Sequence, residues 1–130
     1  MTGQKNKDVK QMELYSENVL RYYEHPPNKR KIAKPDFQAS LDNPLCGDRI
    51  EVFIKTKNGK IAGAAFEGNG CAISLAAASM LLEKLEGKTV EEAKAVGEKQ
   101  VLKMLGVPIS PARMKCAFLG LGAVKKALKK

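Results

Sequence analysis

The chain has 130 residues, of which 44% are hydrophobic, and it carries a formal net charge of +9. This length suits one compact core, and we expect 1–130 to form a single domain in which 1–8 is a flexible tail. The longest apolar run, Cys71–Leu82, has twelve residues, fewer than the roughly 18–20 that a membrane helix needs. Met1–Asp8 lacks the apolar region of a secretory signal. These features argue against membrane and secreted proteins, and we expect a cytoplasmic one.

The positive charge is concentrated at the two ends of the chain. Residues 1–34 carry a net charge of +4 and residues 111–130 a net charge of +6, whereas 35–110 carry −1. A basic end can attract nucleic acid or an acidic protein, but lysines near a helix C-terminus also complement the helix dipole. Because the chain has no Trp, three Tyr and four Phe, it offers little aromatic surface for stacking on bases. We favour the helix-terminal role and keep nucleic-acid binding as a minor alternative.

The first half of the chain predicts one helix followed by three strands. These elements are a helix over 9–23 and strands near 37–41, 50–57 and 60–66. The helix follows from apolar residues at helical spacing and ends before the prolines that follow His25. The strands follow from alternating apolar and polar residues, and Asn58-Gly59 predicts a tight hairpin. We predict that Gly68–Gly70 is a flexible turn.

In the second half of the chain, the sequence pattern predicts helices. We expect them to pack on one face of the antiparallel meander that the three strands form. These helices are expected over 71–85, over 89–105 with a break near Gly97, and over 110–128. Thr89 and Glu92 have the spacing of a capping box, and Ser110-Pro111 supplies a cap followed by proline at the first helical position. The predicted fold class is α+β, with a small three-stranded antiparallel sheet, helices on one face and an N-terminal helix.

Three cysteines stand far apart in the sequence, each where a thiolate can be stabilised. Cys46 lies in a predicted turn, and Asp48 follows two residues later. Cys71 begins a predicted helix, where unpaired N–H groups and the helix dipole favour an anion. Cys116 lies in the last predicted helix beside basic side chains, which lower thiol pKa values. Three thiolates and a carboxylate would complete four ligands for a soft or borderline metal.

Simpler roles exist for these and neighbouring residues. A single cysteine is often only a small buried apolar side chain, and the sequence lacks the Cys-x-x-Cys pair typical of structural zinc sites. A nucleophilic cysteine with a histidine base is poorly supported, because the only histidine, His25, precedes two prolines. Arg113 and Lys115 could offset negative charge at the site or simply occupy an exposed turn. Ser74 and Ser79 are interpreted as packing residues rather than ligands.

Four segments of the chain resemble the motifs of one known family. They are, in chain order, Tyr22–Lys29, Asn43–Asp48, Phe66–Met80 and Pro111–Ala117. The family is that of the iron–sulfur cluster assembly scaffolds of the IscU, SufU and NifU amino-terminal type. The resemblance extends from about Tyr15 to Leu128, and its middle two segments are the most specific.

This resemblance implies a function and a set of site residues. Cys46, Cys71 and Cys116 would bind a transient 2Fe–2S cluster, or zinc in its place, and Asp48 would be a further ligand that tunes cluster lability. A cysteine desulfurase would supply sulfur, with Cys116 as persulfide acceptor, and apo iron–sulfur proteins would receive the cluster. The protein would then be a scaffold rather than an enzyme, with a zinc-dependent sulfurtransferase of the SufU type as the alternative. A homodimer is left open.

The chain departs from the patterns of both branches of the family. Lys115 stands where IscU has a histidine, as in the SufU-like branch. The 45-residue step from Cys71 to Cys116 is too short for the insertion usual in that branch. Ile109–Arg113 is a poor match to the proline-rich chaperone-binding motif of IscU. The sequence therefore leaves open which branch this chain follows and whether it uses a chaperone.

Overall fold

A computed structural model describes residues 17–44 and 47–129. Its strands are β1 Phe37–Asn43, β2 Asp48–Lys57 and β3 Lys60–Asn69. Its helices are α1, helical over 17–24, α2 Ala72–Leu85, α3 Val90–Lys94, α4 Glu98–Leu105, α5 Met114–Ala117 and α6 Leu119–Leu128, with a 3-10 turn at Pro111–Arg113. The tail predicted at 1–8 and the first part of the helix predicted over 9–23 lie outside the described residues. The single-domain assignment of 1–130 stays a prediction.

The sheet is the predicted antiparallel meander, with strand order β1-β2-β3. Ile50, Val52 and Ile54 occupy alternate positions along β2 and are fully buried. The β2–β3 hairpin turns at Asn58 and Gly59, whose φ angles are 55° and 80°. Positive φ at both central residues matches the twist of a two-residue hairpin, so this part of the sequence-based prediction is confirmed.

The helices pack against the buried face of the sheet, as predicted for an α+β fold. α6 lies on β1 and β2, α2 lies on β3, and the two helices contact each other. Their fully buried side chains include Leu82 and Leu85 of α2 and Leu128 of α6, which meet Phe66 and Ile54 in one core cluster. None of the helices in the described ranges has the length and apolar character required to cross a membrane.

Two segments outside the sheet bond to β3. The backbone carbonyl of Asn28 accepts a hydrogen bond from the Phe66 N–H at 3.0 Å. The side-chain amide of Asn28 donates to the backbone carbonyl of Ser79 in α2, also at 3.0 Å. At the start of β3, Ile61 donates to the Lys88 carbonyl and accepts from Gly87. These bonds fix the loop after α1 and the loop after α2 against the same strand.

Helix ends follow the local signals in the sequence. Thr89 and Glu92 form the reciprocal capping box, with the Thr89 hydroxyl accepting from the Glu92 N–H at 3.1 Å and the Glu92 carboxylate accepting from the Thr89 N–H at 2.8 Å. The predicted break near Gly97 is confirmed, since Gly97 caps α4. Gly106 ends α4 in the left-handed conformation with φ of 68°, which costs glycine little.

Two sequence-based predictions are wrong in their details. Gly68 and Asn69 belong to β3 rather than to a flexible turn, because they pair with Ile50 and Arg49 of β2. Gly68 has a φ of 151°, and a Cβ at this position would clash with the Arg49 carbonyl oxygen, so the position requires glycine. The last helix is not continuous over 110–128. Its start is a 3-10 turn closed by the Arg113 N–H on the Ser110 carbonyl, and it leaves helical geometry at Phe118, with φ −99° and ψ 2°.

The contact between α6 and α2 depends on a glycine. A Cβ at Gly120 would lie 2.9 Å from the Ala78 Cβ and 3.0 Å from its Cα, so one helix must move. We expect Gly120→Ala to lower the free energy of unfolding by about 1–3 kcal/mol through overpacking, although alanine has the higher helix propensity. Urea unfolding measures this loss.

Gly122→Ala is the matched control in the same helix. There the added Cβ would meet only the end of the Leu41 side chain, at 2.6 Å, and that group can rotate away. We expect a smaller loss than for Gly120→Ala. Equal stability of the two variants would contradict the assignment of Gly120 to the helix contact.

Candidate metal centre

Asp48, Cys71 and Cys116 come together at one end of the sheet. One carboxylate oxygen and the two sulfur atoms all lie within 4.8 Å of one another. Around a tetrahedral zinc ion, bond lengths of about 2.0–2.3 Å separate neighbouring ligand atoms by roughly 3.5–3.8 Å. A contraction of about 1 Å would therefore let these three groups share one ion, and their sulfur and oxygen donors suit zinc or iron.

The fold brings the three residues from separate elements. Asp48 is the first residue of β2, and β3 ends at Asn69 opposite Arg49. The chain then passes through Gly70 to Cys71, the N-cap of α2. α5, which contains Cys116, packs against α2. Because β2 and β3 are paired and lead directly to the helix start, the carboxylate and the Cys71 thiol meet without a long loop.

Gly70 allows the carboxylate to approach the helix start. A Cβ at this position would lie 3.1 Å from Asp48 Cγ and 3.3 Å from Asp48 Oδ1. Both distances are tighter than ordinary van der Waals contacts, so a larger residue would displace Asp48. The glycine before Cys71 therefore contributes to the geometry of the site and not only to a turn.

The two described thiols differ in exposure. Cys116 is 2% exposed and Asp48 is 4% exposed, whereas Cys71 is half-buried. Burial raises the pKa of the Cys71 thiol, but hydrogen bonds at its sulfur, among them those from the backbone N–H groups of Ser74 and Ile73 and one with Cys116, lower it, and the pKa lies below its ordinary value. Cys71 is thus a partly accessible thiol whose thiolate is favoured, as expected at a helix start.

Ser74 is a part of this centre that the sequence analysis missed. Its hydroxyl donates to Asp48 Oδ2 at 2.5 Å and lies 3.5 Å from Cys71 Sγ. The interpretation as a packing residue alone is therefore incomplete. The available signal was its position three residues after Cys71, since residues three apart lie on the same face of a helix.

The remaining predicted residues take different positions. Cys46 lies outside the described residues. Arg113 and Lys115 are exposed, and no ion pair within 17–44 and 47–129 joins either of them to Asp48. His25 is exposed at the end of α1. Ser79 takes no part in the cluster of Asp48, Cys71 and Cys116, because its hydroxyl donates to Asn28 Oδ1 at 2.7 Å.

Comparison with known proteins gives a consistent result over most of the chain. Residues 14–130 match the family model described as the NifU-like N terminal domain. The iron-sulfur cluster assembly scaffold protein IscU 1 of Archaeoglobus fulgidus is 34% identical over 115 residues, which cover 88% of this chain and 74% of that protein. The iron-sulfur cluster assembly scaffold protein IscU of Haemophilus influenzae is 35% identical over 118 residues, which cover 88% of this chain and 92% of that protein.

Another relative, which aligns over a similar share of this chain, is described with a different role. The zinc-dependent sulfurtransferase SufU of Bacillus subtilis is 31% identical over 134 residues, which cover 90% of each chain. Among solved structures, the FiSufU protein of Fervidobacterium islandicum AW-1, described as a putative iron-sulfur cluster assembly scaffold protein for the SUF system, superimposes with a TM-score of 0.73 at 26% identity, covering 86% of this chain and 94% of that one. The relatives that match this chain in sequence therefore carry two different described roles.

Proposed function

Since this chain belongs to the family of NifU-like N-terminal domains, we propose that it is an iron–sulfur cluster assembly scaffold. It would collect iron and desulfurase-derived sulfur, assemble a transient 2Fe–2S cluster and pass it to apo-proteins. The observation that carries the proposal is the convergence of Asp48, Cys71 and Cys116 within 4.8 Å. A site that depends on reduced thiols needs a reducing compartment such as the cytoplasm, where we propose the protein acts.

Chain connectivity supports Cys46 as the third thiol. Only Gly47 separates Cys46 from Asp48, so the two Cα atoms cannot be more than about 7 Å apart. Asp48 itself belongs to the described cluster. A cysteine so close to Asp48 along the chain can contribute its thiolate to the same ion, which would give three thiolates and one carboxylate.

Cys71 and Cys116 have different proposed tasks. The lowered pKa of Cys71 favours the thiolate form, which binds ferrous iron. We assign sulfur acceptance to Cys116. Its thiolate attacks the outer sulfur of the desulfurase persulfide, the S–S bond of that persulfide breaks, and the desulfurase thiolate leaves and takes up a proton. Because Cys116 is 2% exposed, α5 must move to admit the partner, and the resulting persulfide is then sheltered from solvent.

Release of the cluster needs a weak point among the ligands. Thiolates are soft donors that hold iron well, whereas a carboxylate oxygen is a hard and poorer donor for this purpose. Asp48 is the oxygen ligand of the proposed set. We propose that exchange begins there, when a group of the recipient protein replaces the carboxylate.

A second candidate function is a zinc-dependent sulfur carrier. It is favoured by the relative from Bacillus subtilis and by Lys115, which stands where IscU has a histidine. Zinc prefers four ligands of this kind, and it would keep the thiols deprotonated until a partner displaces one of them. In this case the protein would accept persulfide sulfur from the desulfurase without assembling a cluster.

The two functions predict different products in anaerobic reconstitution. With ferrous iron, cysteine, a cysteine desulfurase and an electron donor that reduces persulfide sulfur to sulfide, we expect a scaffold to turn brown, with sulfur-to-iron absorption bands, and to transfer the cluster to an apo-ferredoxin. The carrier would stay colourless and keep zinc, and in a sample without the electron donor it would accept one sulfur atom, which mass spectrometry detects. Bound zinc alone decides nothing, because zinc also fills vacant thiolate sites. A parent protein that never develops cluster bands would contradict the scaffold proposal.

A further inference from the structure

A buried serine connects the carboxylate and one thiol of the candidate centre. Ser74 is completely buried and donates its hydroxyl hydrogen to Asp48 Oδ2 at 2.5 Å. Asp48 is 4% exposed, so bulk water has little access to replace this bond. Within the described residues, no buried side-chain nitrogen or oxygen lacks a hydrogen-bond partner. Removal of the serine hydroxyl would take this hydrogen bond away from a buried carboxylate oxygen, which carries a cost in free energy.

The carboxylate is also confined by the backbone next to Ser74. A Cβ at Gly70 would lie 3.1 Å from both Asp48 Cγ and Ser74 Cβ, so the chain passes close to the carboxylate on that side. Gly70 and Ser74 thus enclose Asp48 between the end of β3 and the first turn of α2. Rotation of the Asp48 carboxylate would break its hydrogen bond to Ser74. This hydrogen bond therefore fixes the orientation of the carboxylate.

The Ser74 hydroxyl has one hydrogen and two neighbouring acceptors. It lies 2.5 Å from Asp48 Oδ2 and 3.5 Å from Cys71 Sγ, so in this structure the hydrogen goes to Asp48. A metal ion bound to the Cys71 thiolate would satisfy the sulfur directly. The bond from Ser74 to Asp48 is then compatible with metal binding and leaves one carboxylate oxygen for the ion.

We propose that Ser74 is a positioning residue that holds Asp48 as a one-oxygen ligand of the metal centre. The inference rests on the proposed function, because it assumes that Asp48 binds the ion. Hydrogen-bond partners of metal ligands orient those ligands, and their loss typically costs 10–100-fold in metal affinity. Ser74 acts through Asp48 and does not itself bind the ion.

The test uses Co²⁺ as a spectroscopic probe of the full chain under anaerobic conditions. Ser74→Ala is expected to lower Co²⁺ affinity by about tenfold and to shift the d–d bands, which report ligand geometry. The thiolate charge-transfer bands should persist at saturating metal, because the cysteines still bind. Ser79→Ala is the matched control, since Ser79 is equally buried on α2 and its hydroxyl bonds to Asn28. It should bind Co²⁺ like the parent.

A double-mutant cycle decides whether the serine acts through the carboxylate. In the Asp48→Ala background, Ser74→Ala should change the affinity by less than about twofold. The inference would be overturned if Ser74→Ala lowered the Co²⁺ affinity tenfold in both backgrounds, or if it did not lower the affinity in the parent background. An equal loss of Co²⁺ affinity in Ser79→Ala would also overturn it. If Ser74→Ala does not fold, Ser74→Thr and Ser74→Val form a second pair of similar size, of which only the threonine keeps the hydroxyl. We then expect Ser74→Thr to bind Co²⁺ more tightly than Ser74→Val.

The same experiment separates this inference from the proposed function. A parent chain that shows no thiolate-to-cobalt bands contradicts the metal centre and therefore both proposals. A parent chain that binds Co²⁺ through thiolates, with serine variants that bind it equally well, contradicts only the role of Ser74.

Discussion

Replacing Cys71 or Cys116 by serine is expected to reduce cluster assembly by at least an order of magnitude. Loss of a ligand's hydrogen-bond partner alone typically costs 10–100-fold in metal affinity, and loss of a thiolate ligand, a much better donor for iron than a carboxylate, should cost no less. Serine keeps the size of cysteine but does not form a soft anion near neutral pH. The measurement is the yield of visible cluster absorption in anaerobic reconstitution, for the parent and for each variant.

The two cysteine variants should differ in the sulfur that they accept. With desulfurase and cysteine but no iron, Cys116→Ser should lose the added sulfur atom in mass spectrometry, whereas Cys71→Ser should keep it. Ser79→Ala serves as a control for changes at another buried position of α2. Parental cluster yield in Cys71→Ser would contradict its role as a ligand. Sulfur found on Cys71 instead of Cys116 would contradict the assignment of the acceptor.

Replacing Asp48 by alanine is expected to slow cluster transfer and to give a longer-lived cluster. The carboxylate is the poorest donor of the proposed set, so its removal takes away the ligand at which exchange begins. The decay of visible absorption measures the lifetime, and activation of an apo-ferredoxin measures the transfer. We expect a several-fold change in both, in opposite directions. Release at the parental rate would show that Asp48 is not the point of exchange.

Two further variants make this result specific to the carboxylate. Asp42→Ala removes an exposed carboxylate at the same end of the sheet, which pairs with Arg49 at 3.2 Å, and it should transfer the cluster at the parental rate. Asp48→Asn keeps the size of the side chain and an acceptor for Ser74. It therefore avoids the cost of about 1–3 kcal/mol for an unsatisfied buried hydroxyl. If Asp48→Ala is too unstable, Asp48→Asn should still lengthen the cluster lifetime.

The sequence predicted the fold where local patterns decide the structure. Alternation of apolar residues placed Ile50, Val52 and Ile54 on the buried face of β2, and Asn58-Gly59 located the hairpin. These signals depend on neighbours within a few residues. Gly68 was misassigned, because its need for glycine comes from the Arg49 carbonyl of the paired strand, which local sequence does not reveal.

Three of the residues proposed as ligands lie together in the structure, but the contacts around them could not be predicted. Cys71, Cys116 and Asp48 were proposed from their local settings and from the family resemblance, and the structure places them together. The bond from Ser74 to Asp48 joins residues 26 positions apart, so helix periodicity could not identify it. Lys115 is exposed while Cys116 is buried, because consecutive helix residues do not share a face.

The loops that bond to β3 also affect how the protein meets other copies of itself. The free side of an outer strand presents backbone groups that can pair with another chain and begin aggregation. Here the loop at Asn28 occupies the middle of that side at Phe66, and the loop at Gly87 and Lys88 occupies its beginning at Ile61. The outer edge of β3 therefore presents no continuous row of free backbone groups to another copy of the chain.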